Sequence, residues 1–282
     1  MGIIKFQKAK PMQAFYKGSV YGSAGSGKTY TTLMQATGLA KACGKKIAYV
    51  DSERGTDFYT EKFDFDAIYT QSLADVTEAV RELDPKVHGV VVIDSISHLW
   101  DSAIQAYEGK RTKNESANGI PMHAWGAIKK PYKNLIRLLM DCPFHVFILG
   151  RQKNVFEDDD QGNMKKVGVA MRAEGETAYE PHLCCRMEAR QSEKDSSKST
   201  YFAIYEKDRT GLLAGRTFPN PSFKTIECIL PLLNGTEQAQ SEDPVDVMAK
   251  DSALLDKEEE AKEKKSAEIL EACSALVEKT KD

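Results

Sequence analysis

The sequence predicts an α/β fold in which helices flank a mostly parallel, twisted β-sheet. Up to Gly150, short β-rich runs alternate with stretches of helical periodicity, a pattern typical of parallel sheets covered by helices. The runs His88–Ile93 and Phe144–Leu149 are almost continuously apolar, as in strands that are buried on both faces. A glycine-rich turn over Gly22–Gly27 links the first predicted strand to the first predicted helix.

The individual elements follow from the same periodicities. The first half of the chain predicts strands at Phe15–Tyr21, Lys46–Val50, His88–Ile93 and Phe144–Leu149, and helices at about Lys28–Ala42, Leu73–Leu83, Ile96–Tyr107 and His123–Met140. Gly44 is placed to end the first of these helices. After Gly150 the sequence predicts a polar segment Arg151–Arg172 with a hairpin tip at EDDDQGN, strands at Leu183–Arg190 and Thr200–Tyr205, and a helix at Phe223–Leu233.

Charge divides the chain into two parts. The 282 residues carry a formal net charge of −3. From Ser241 onward there are 13 acidic and 7 basic residues, so this end carries −6 and the remainder +3. We therefore predict a compact domain over residues 1–235 and an acidic, helix-prone extension over residues 236–282. The extension is expected to be a solvated helix, a partner-binding helix or a partly disordered segment.

The sequence gives no indication of a membrane protein. No stretch approaches the roughly 18 uninterrupted apolar residues of a spanning helix, and the first residues lack the apolar region of a signal peptide. We expect a cytoplasmic protein without a membrane partner.

The run Gly22-Ser23-Ala24-Gly25-Ser26-Gly27-Lys28-Thr29 matches the phosphate-binding pattern G-x-x-x-x-G-K-[ST]. Glycines let such a loop curl so that its N–H groups face phosphate oxygens, and the following helix N-terminus adds partial positive charge. Lys28 is expected to neutralise β- and γ-phosphate oxygens, and the Thr29 hydroxyl to bind Mg²⁺. These residues and the adjoining Tyr30 form the predicted nucleotide site. ATP is the expected nucleotide, because no N-K-x-D sequence supports guanine selection.

Two acidic residues complete the predicted catalytic centre. Asp94 ends the apolar run Val90–Ile93, where it would position Mg²⁺ at the carboxyl edge of the sheet. Glu53 follows the strand after the phosphate-binding loop, where it could polarise a water for attack on the γ-phosphate. The alternative for Glu53 is a surface residue beside Arg54.

Together these segments resemble the RecA-like core ATPases, and among them the phage-encoded nucleotide-binding and single-strand annealing proteins. The resemblance covers roughly residues 15–220. It is carried by the segments GSAGSGKT at 22–29, YVDSERG at 49–55, VVIDSISHLW at 91–100 (from the sheet strand into the next helix), WGAIKKPYKNLIRLL at 125–139, HVFILGRQK at 145–153 and YEKDRTGLLAG at 205–215.

The resemblance implies further site residues. Arg151 or Gln152 would occupy the place of the polar residue that senses the γ-phosphate. This sequence reads Leu149-Gly150-Arg151-Gln152 there, whereas RecA has an Asn-Gln pair. Lys207 and Arg209 are similar to basic residues that some RecA-like ATPases project onto a neighbouring subunit's nucleotide. The alternative is a pair of solvated charges at a strand end.

The resemblance also implies a polymer partner. DNA-contacting loops would correspond to Glu108–Met122, with Lys110, Arg111 and Lys113, and to Lys153–Thr177, with Lys165, Lys166 and Arg172. Phe156 is the obvious stacking aromatic, and ordinary solvent loops are the alternative. A ring or filament of identical subunits would repeat these few charges.

The expected function is thus a Mg²⁺-dependent, oligomeric ATPase acting on single-stranded DNA in phage recombination or strand annealing, in the cytoplasm of a bacterial host. A single-strand binding protein is a further expected partner. Two alternatives stay open at this point: a helicase or helicase-loading ATPase, and a nucleotide-sensing interaction module with little hydrolysis.

Overall fold

The computed structural model describes residues 8, 14–110, 119–159, 161–192, 198–233 and 252–253. The chain divides into two units, Met1–Ala239 and Gln240–Asp282. In the second unit only Ser252 and Ala253 are described, and both are helical. The predicted extension over 236–282 otherwise lies outside the described residues, and its structure stays a prediction.

The described residues of the first unit form nine strands, five α-helices and three 3-10 helices. The strands are β1 Lys17–Gly22, β2 Lys46–Asp51, β3 Asp66–Tyr69, β4 His88–Asp94, β5 His145–Asp158, β6 Met164–Met171, β7 Leu183–Gln191, β8 Ser199–Asp208 and β9 Thr217–Pro219. The α-helices are α1 Lys28–Cys43, α2 Leu73–Glu82, α3 Ile96–Glu108, α4 Trp125–Asp141 and α5 Phe223–Ile226. The 3-10 helices are Thr56–Tyr59, Met122–Ala124 and Glu227–Leu232.

The strands lie in the order β3-β2-β4-β5-β1-β7-β8-β9, and β6 pairs with the far part of β5. In this spatial order, every neighbouring pair from β3 through β2, β4, β5 and β1 to β7 is parallel. The pairs β7–β8, β8–β9 and β5–β6 are antiparallel. The predicted fold class, an α/β core with a mostly parallel sheet flanked by helices, is confirmed.

Alternate residues of each central strand enter two separate cores. On β4, Val91 and Ile93 pack in the core under α2, α3 and α4. Val90 and Val92 pack on the other side, with Leu33 and Leu39 of α1. Both faces of the central strands are therefore buried, which is why their sequences are nearly continuous apolar runs.

A buried lysine anchors the strand that leads into the glycine-rich loop. Lys17 is fully buried on β1, and its Nζ donates to the carbonyls of Leu139, Cys142 and Phe144, each at 2.8 Å. These carbonyls lie at and just beyond the C-terminal end of α4. A cation is favourable at such an end because the last carbonyls of a helix lack intrahelical donors.

The structure differs from the sequence-based expectations in its second half. The predicted hairpin tip at EDDDQGN is confirmed by the pairing of Asp158 with Met164, but β5 runs unbroken from the sheet to Asp158, so the loop expected at Lys153–Thr177 is largely a β-hairpin. The helix predicted at Phe223–Leu233 is one α-helical turn followed by a 3-10 helix that contains Pro231, which has no N–H to donate. The short strands β3 and β9 were not predicted, because each has few residues and one unpaired edge.

Candidate active site

The candidate site lies at the carboxyl ends of β1, β2, β4 and β5. The strand register places Gly22 beside Arg151, and Asp51 beside Asp94. Residues from four distant parts of the sequence thus reach one edge of the sheet, where open α/β sheets bind their ligands.

The glycine-rich loop Gly22–Thr29 has two positions, Gly22 and Gly27, at which a side chain does not fit. A Cβ at Gly22 would lie 2.4 Å from the carbonyl oxygen of Met187 on the neighbouring strand. Gly27 has φ of 82°, and a Cβ there would lie 2.7 Å from the ring of Tyr201 on β8. The loop conformation therefore requires glycine at both positions.

The N-terminus of α1 fits a phosphate group. Gly27 is its N-cap, and no side chain in the described structure caps the first N–H groups. Ser26 Oγ is buried and has no hydrogen-bond partner among the described atoms. Unpaired donors at a helix N-terminus are what phosphate oxygens bind.

Lys28 lies over this loop. Its Nζ donates to the carbonyls of Gly22 at 3.1 Å and Ser23 at 2.9 Å. Burial lowers the pKa of Lys28, and the carboxylates of Asp94 and Glu53 act in the opposite direction. The ammonium is placed where it can exchange the loop carbonyls for phosphate oxygens.

Thr29 and Asp94 contact each other directly. Thr29 Oγ1 donates to Asp94 Oδ2 at 2.8 Å, and the hydroxyl of Tyr49 on β2 donates to the same oxygen at 2.6 Å. Burial holds the pKa of Asp94 above its ordinary value, although the hydrogen bonds from Tyr49 and Thr29 act to lower it. The predicted pair of metal-binding residues is thus brought together.

Glu53 is held by two donors at one oxygen. Arg151 Nε and Ser95 Oγ both donate to Glu53 Oε1 at 2.9 Å. Burial alone would raise the pKa of Glu53, but the hydrogen bonds from Arg151 and Ser95 leave it below its ordinary value. Glu53 is therefore ionised at neutral pH, with 34% of its side chain exposed.

A tight turn after β2 presents Glu53. Asp51 Oδ1 accepts from the N–H of Glu53 at 2.9 Å, and Asp51 Oδ2 accepts from the N–H and the hydroxyl of Thr56. Arg54 between them has a positive φ of 55°. The buried Asp51 thus fixes the backbone from which the Glu53 side chain projects.

The structure distinguishes the two candidate sensor residues. Arg151 contacts Glu53, while the neighbouring Gln152 is partly buried at the position paired with Met171 of β6. Arg151 is the one whose side chain reaches the carboxylate of the site.

Lys207 and Arg209 are not part of this cluster. Lys207 pairs in register with Cys184, which pairs with Ser19, so it lies toward the opposite end of β1 from Gly22. Lys207 Nζ and Arg209 Nη2 both donate to the carbonyl of Tyr179, the latter at 3.0 Å. The two cations share this acceptor and lie away from the loop of their own chain.

The remaining predicted nucleotide contacts surround the loop. Ser23, Ala24 and Gly25 are exposed at its tip. Tyr30 is 43% exposed, and its ring centroid lies 5.4 Å from that of Phe63 and 6.4 Å from that of Tyr59.

The residues present fit ATP and Mg²⁺. The Thr29 hydroxyl and the Asp94 carboxylate are hard oxygen donors, which Mg²⁺ prefers, and this ion commonly takes its other ligands from phosphates and water. In the part of the chain that the structure describes, no group of three or more His, Cys, Asp or Glu side chains could hold a metal by itself. A metal bound together with nucleotide agrees with both observations.

A family model described as an AAA domain matches residues 14–214, from just before β1 to the turn after β8. The chain belongs to this AAA-domain family. The glycine-rich loop, Asp94 and Glu53 all fall within the match.

Other comparisons add little to this assignment. A KaiC-like protein of the hyperthermophilic archaeon Pyrococcus horikoshii OT3 is similar in structure, with a TM-score of 0.46 and 13% identity over 73% of this chain and 85% of that one. No curated protein matches the sequence. Among the described residues, none of the helices has the length and apolar character needed to cross a membrane.

Sequence reasoning missed three residues of this AAA-domain site: Tyr49, Ser95 and Tyr201. The sequence does indicate a polar contact for Tyr49, because a tyrosine inside a buried strand needs a hydrogen-bond partner for its hydroxyl. Ser95 follows Asp94 directly, but its contact with Glu53 depends on the register of β2 against β4. Tyr201 lies in a polar hairpin, where the sequence gives no indication that it packs on Gly27.

The Arg151–Glu53 contact predicts a measurable titration. Arg151→Met removes one of two donors, so the pKa of Glu53 should rise toward its ordinary value of about 4.3. Carbon-13 NMR of the labelled glutamate carboxyls during a pH titration measures this change. In the parent chain the depressed pKa means that Glu53 stabilises the fold above its unfolded pKa, and that this contribution is lost as the pH falls.

Lys133→Met is the matched control, since Lys133 pairs with Glu176 away from the site. It should leave the Glu53 titration unchanged. An identical pKa of Glu53 in the parent and in Arg151→Met would show that the contact does not form in solution.

Proposed function

We propose that this AAA-domain protein is a Mg²⁺-dependent ATPase that acts on single-stranded DNA in phage recombination or strand annealing. The observation that carries the hydrolytic part is the convergence of Lys28, the Thr29–Asp94 pair and Glu53 on one edge of the sheet. The motif resemblance supports the recombination role.

Each residue has a distinct part in hydrolysis of the γ-phosphate. The N–H groups at the start of α1 and the Lys28 ammonium bind the phosphate oxygens and stabilise the charge that develops during transfer. Thr29 and Asp94 hold Mg²⁺, which supplies charge neutralisation when bound. Glu53 orients the attacking water and accepts its proton as the bond to phosphorus forms and ADP leaves.

Arg151 controls how available Glu53 is for that proton transfer. While its guanidinium donates to Glu53 Oε1, the carboxylate is a weaker base. A γ-phosphate beside Arg151 would compete for the guanidinium, which gives Arg151 rather than Gln152 the sensing role in this proposal.

Two substitutions test the hydrolytic mechanism. Lys28→Ala should lower kcat/KM for ATP by about 100-fold or more, because it removes a charge that stabilises the transition state. Glu53→Gln should keep nucleotide affinity within a few-fold and lower kcat by about 100- to 10,000-fold, because the amide cannot accept the proton. Phosphate release and equilibrium binding of a fluorescent ATP analogue measure the two quantities.

Glu61→Gln, an exposed glutamate further along the same segment, is the matched control and should hydrolyse ATP like the parent. Full turnover in Lys28→Ala would rule out this site as the ATPase centre.

We propose further that the site is completed by a neighbouring subunit in a ring or filament. Lys207 and Arg209 lie away from the loop of their own chain, so they can contribute charge only to the nucleotide of another copy. Both cations donate to the Tyr179 carbonyl; Arg209 is exposed and Lys207 is partly buried.

Mixing of two inactive variants tests this arrangement. Glu53→Gln and Arg209→Ala should each be slow alone, and their mixture should regain ATP turnover, because an intact Glu53 then meets an intact Arg209 across an interface. A mixture of Glu53→Gln with Lys28→Ala should regain none, because every site then carries a defect in its own chain. Equal turnover in the two mixtures would contradict a role in trans.

The β5–β6 hairpin is the proposed DNA-binding element. Phe156 is 49% exposed and pairs in register with Lys166, while Lys165 is the next residue of β6. An aromatic ring beside Lys166 suits a stacked base and its phosphate, whereas Lys165 pairs with Glu157. Arg172 is engaged by Asp101 at 2.9 Å, so it is removed from the predicted phosphate contacts.

The second predicted DNA-contacting segment is only partly described. Lys110 is exposed just after α3, whereas Arg111 and Lys113 lie outside the described residues.

Binding of single-stranded oligonucleotide at several salt concentrations tests the hairpin. Replacing Lys165 and Lys166 together with alanine should weaken binding and reduce the slope of log K against log salt by about 1.4, if two phosphate contacts are lost. The matched control replaces the exposed Lys41 and Lys224, with the same change in net charge, and should leave the slope unchanged. Equal slopes for both double variants would place the DNA site elsewhere.

One alternative is favoured by a specific contact. The two donors on Glu53 Oε1 agree with slow hydrolysis and therefore with a nucleotide-sensing module. Tight nucleotide binding with no DNA binding and no DNA-stimulated turnover would establish that alternative, whereas duplex unwinding would indicate the helicase.

A further inference from the structure

We propose that Tyr49 is a positioning residue for the metal-bound nucleotide, and that its hydroxyl sets the orientation of the Asp94 carboxylate toward Thr29. The inference rests on the proposed Mg²⁺-dependent function of this site. It assigns a role to a residue that lies outside both the phosphate-binding loop pattern and the turn that carries Glu53.

Three elements meet at one oxygen atom. Asp94 Oδ2 accepts from the Tyr49 hydroxyl on β2 at 2.6 Å and from Thr29 Oγ1 on α1 at 2.8 Å. Since both donors use Oδ2, neither of them occupies Oδ1. A threonine hydroxyl that donates its hydrogen to Asp94 still has its oxygen lone pairs for a cation. The carboxylate is thus held through Oδ2 by both protein donors, and Oδ1 is the oxygen that would serve a metal or its water shell.

Burial makes this arrangement stiff. Tyr49 is 2% exposed and Asp94 is 7% exposed. The Tyr49 ring packs 5.3 Å from the ring of Phe65, and the backbones of β2 and β4 pair in register on either side of the contact. The phenol therefore has little freedom to leave the carboxylate. A hydrogen bond to a buried charged group is also stronger than one between neutral groups.

The contact is more specific than the ordinary pairing of a buried tyrosine. Another buried tyrosine, Tyr132 of α4, donates to or accepts from Thr177 Oγ1 at 2.9 Å in the opposite core. That pairing joins two neutral hydroxyls far from the loop. Tyr49 instead contacts the acidic residue at the strand end that is proposed to hold Mg²⁺. Groups that orient metal ligands in this way commonly change metal affinity when they are removed.

Tyr49→Phe tests the inference, with Tyr132→Phe as the matched control. Binding of a fluorescent ADP analogue is measured in EDTA and during a Mg²⁺ titration, and ATP turnover is measured over the same Mg²⁺ range. In Tyr49→Phe the half-saturating Mg²⁺ concentration should rise roughly tenfold. Nucleotide affinity in EDTA should stay within about twofold of the parent, and kcat at saturating Mg²⁺ within about threefold, because the phosphate-binding loop and Glu53 are unchanged.

Tyr132→Phe also loses one buried hydroxyl contact, so it controls for general loosening of the fold and should keep the parent Mg²⁺ dependence. Tyr49→Met, which has no donor either, should show the same shift as Tyr49→Phe and provides a second variant if the first folds poorly. An unchanged Mg²⁺ dependence in the Tyr49 variants, or an equal shift in Tyr132→Phe, would overturn the inference alone. A parent protein whose nucleotide binding does not respond to Mg²⁺ would overturn the proposed function and this inference with it.

Discussion

The buried carboxylate of Asp94 is the constraint on which the site depends. A charge at the end of a strand inside an apolar core is costly unless donors surround it. Those donors come from α1 and β2, through Thr29 and Tyr49. Satisfying one carboxylate therefore fixes the first turn of the phosphate-binding helix against two strands of the sheet. The same requirement that stabilises the fold places the predicted metal-binding groups together.

Hydrogen-bond donors also balance the second negative charge of the site, on Glu53. Glu53 is balanced by Arg151 and Ser95, so its negative charge is retained beside that of Asp94. Arg151 in turn donates its backbone N–H to Ser97 Oγ at 2.8 Å, and Ser97 donates to the carbonyl of Arg172 at 2.6 Å. Arg151 lies where β5 leaves the sheet, and Arg172 follows β6. One chain of hydrogen bonds thus connects the start of the hairpin proposed to bind DNA with the carboxylate proposed to activate water.

Much of the site could be predicted because its chemistry is local in sequence. The glycine-rich loop needs glycines and a lysine at fixed offsets, and a strand followed by a helix is enough to orient it. Asp94 and Glu53 were predictable for a similar reason, since each lies at or within three residues of the end of a predicted apolar strand. The predicted roles of Lys207 and Arg209 concern a second subunit, and neither periodicity nor spacing within one chain determines an interface.

The sequence by itself determined the fold class, and it predicted the phosphate-binding loop and the two acidic residues, because periodicity and short-range spacing encode buried strands and tight turns. Tertiary structure decided which side chains meet across the sheet. The choice of Arg151 over Gln152, the contact of Tyr49 with Asp94 and the long hairpin after Leu149 all depend on strand register and pairing. Register depends on two strands that are far apart in the chain, so the sequence of one strand does not determine it. A shift of one residue turns every side chain of a strand to the opposite face.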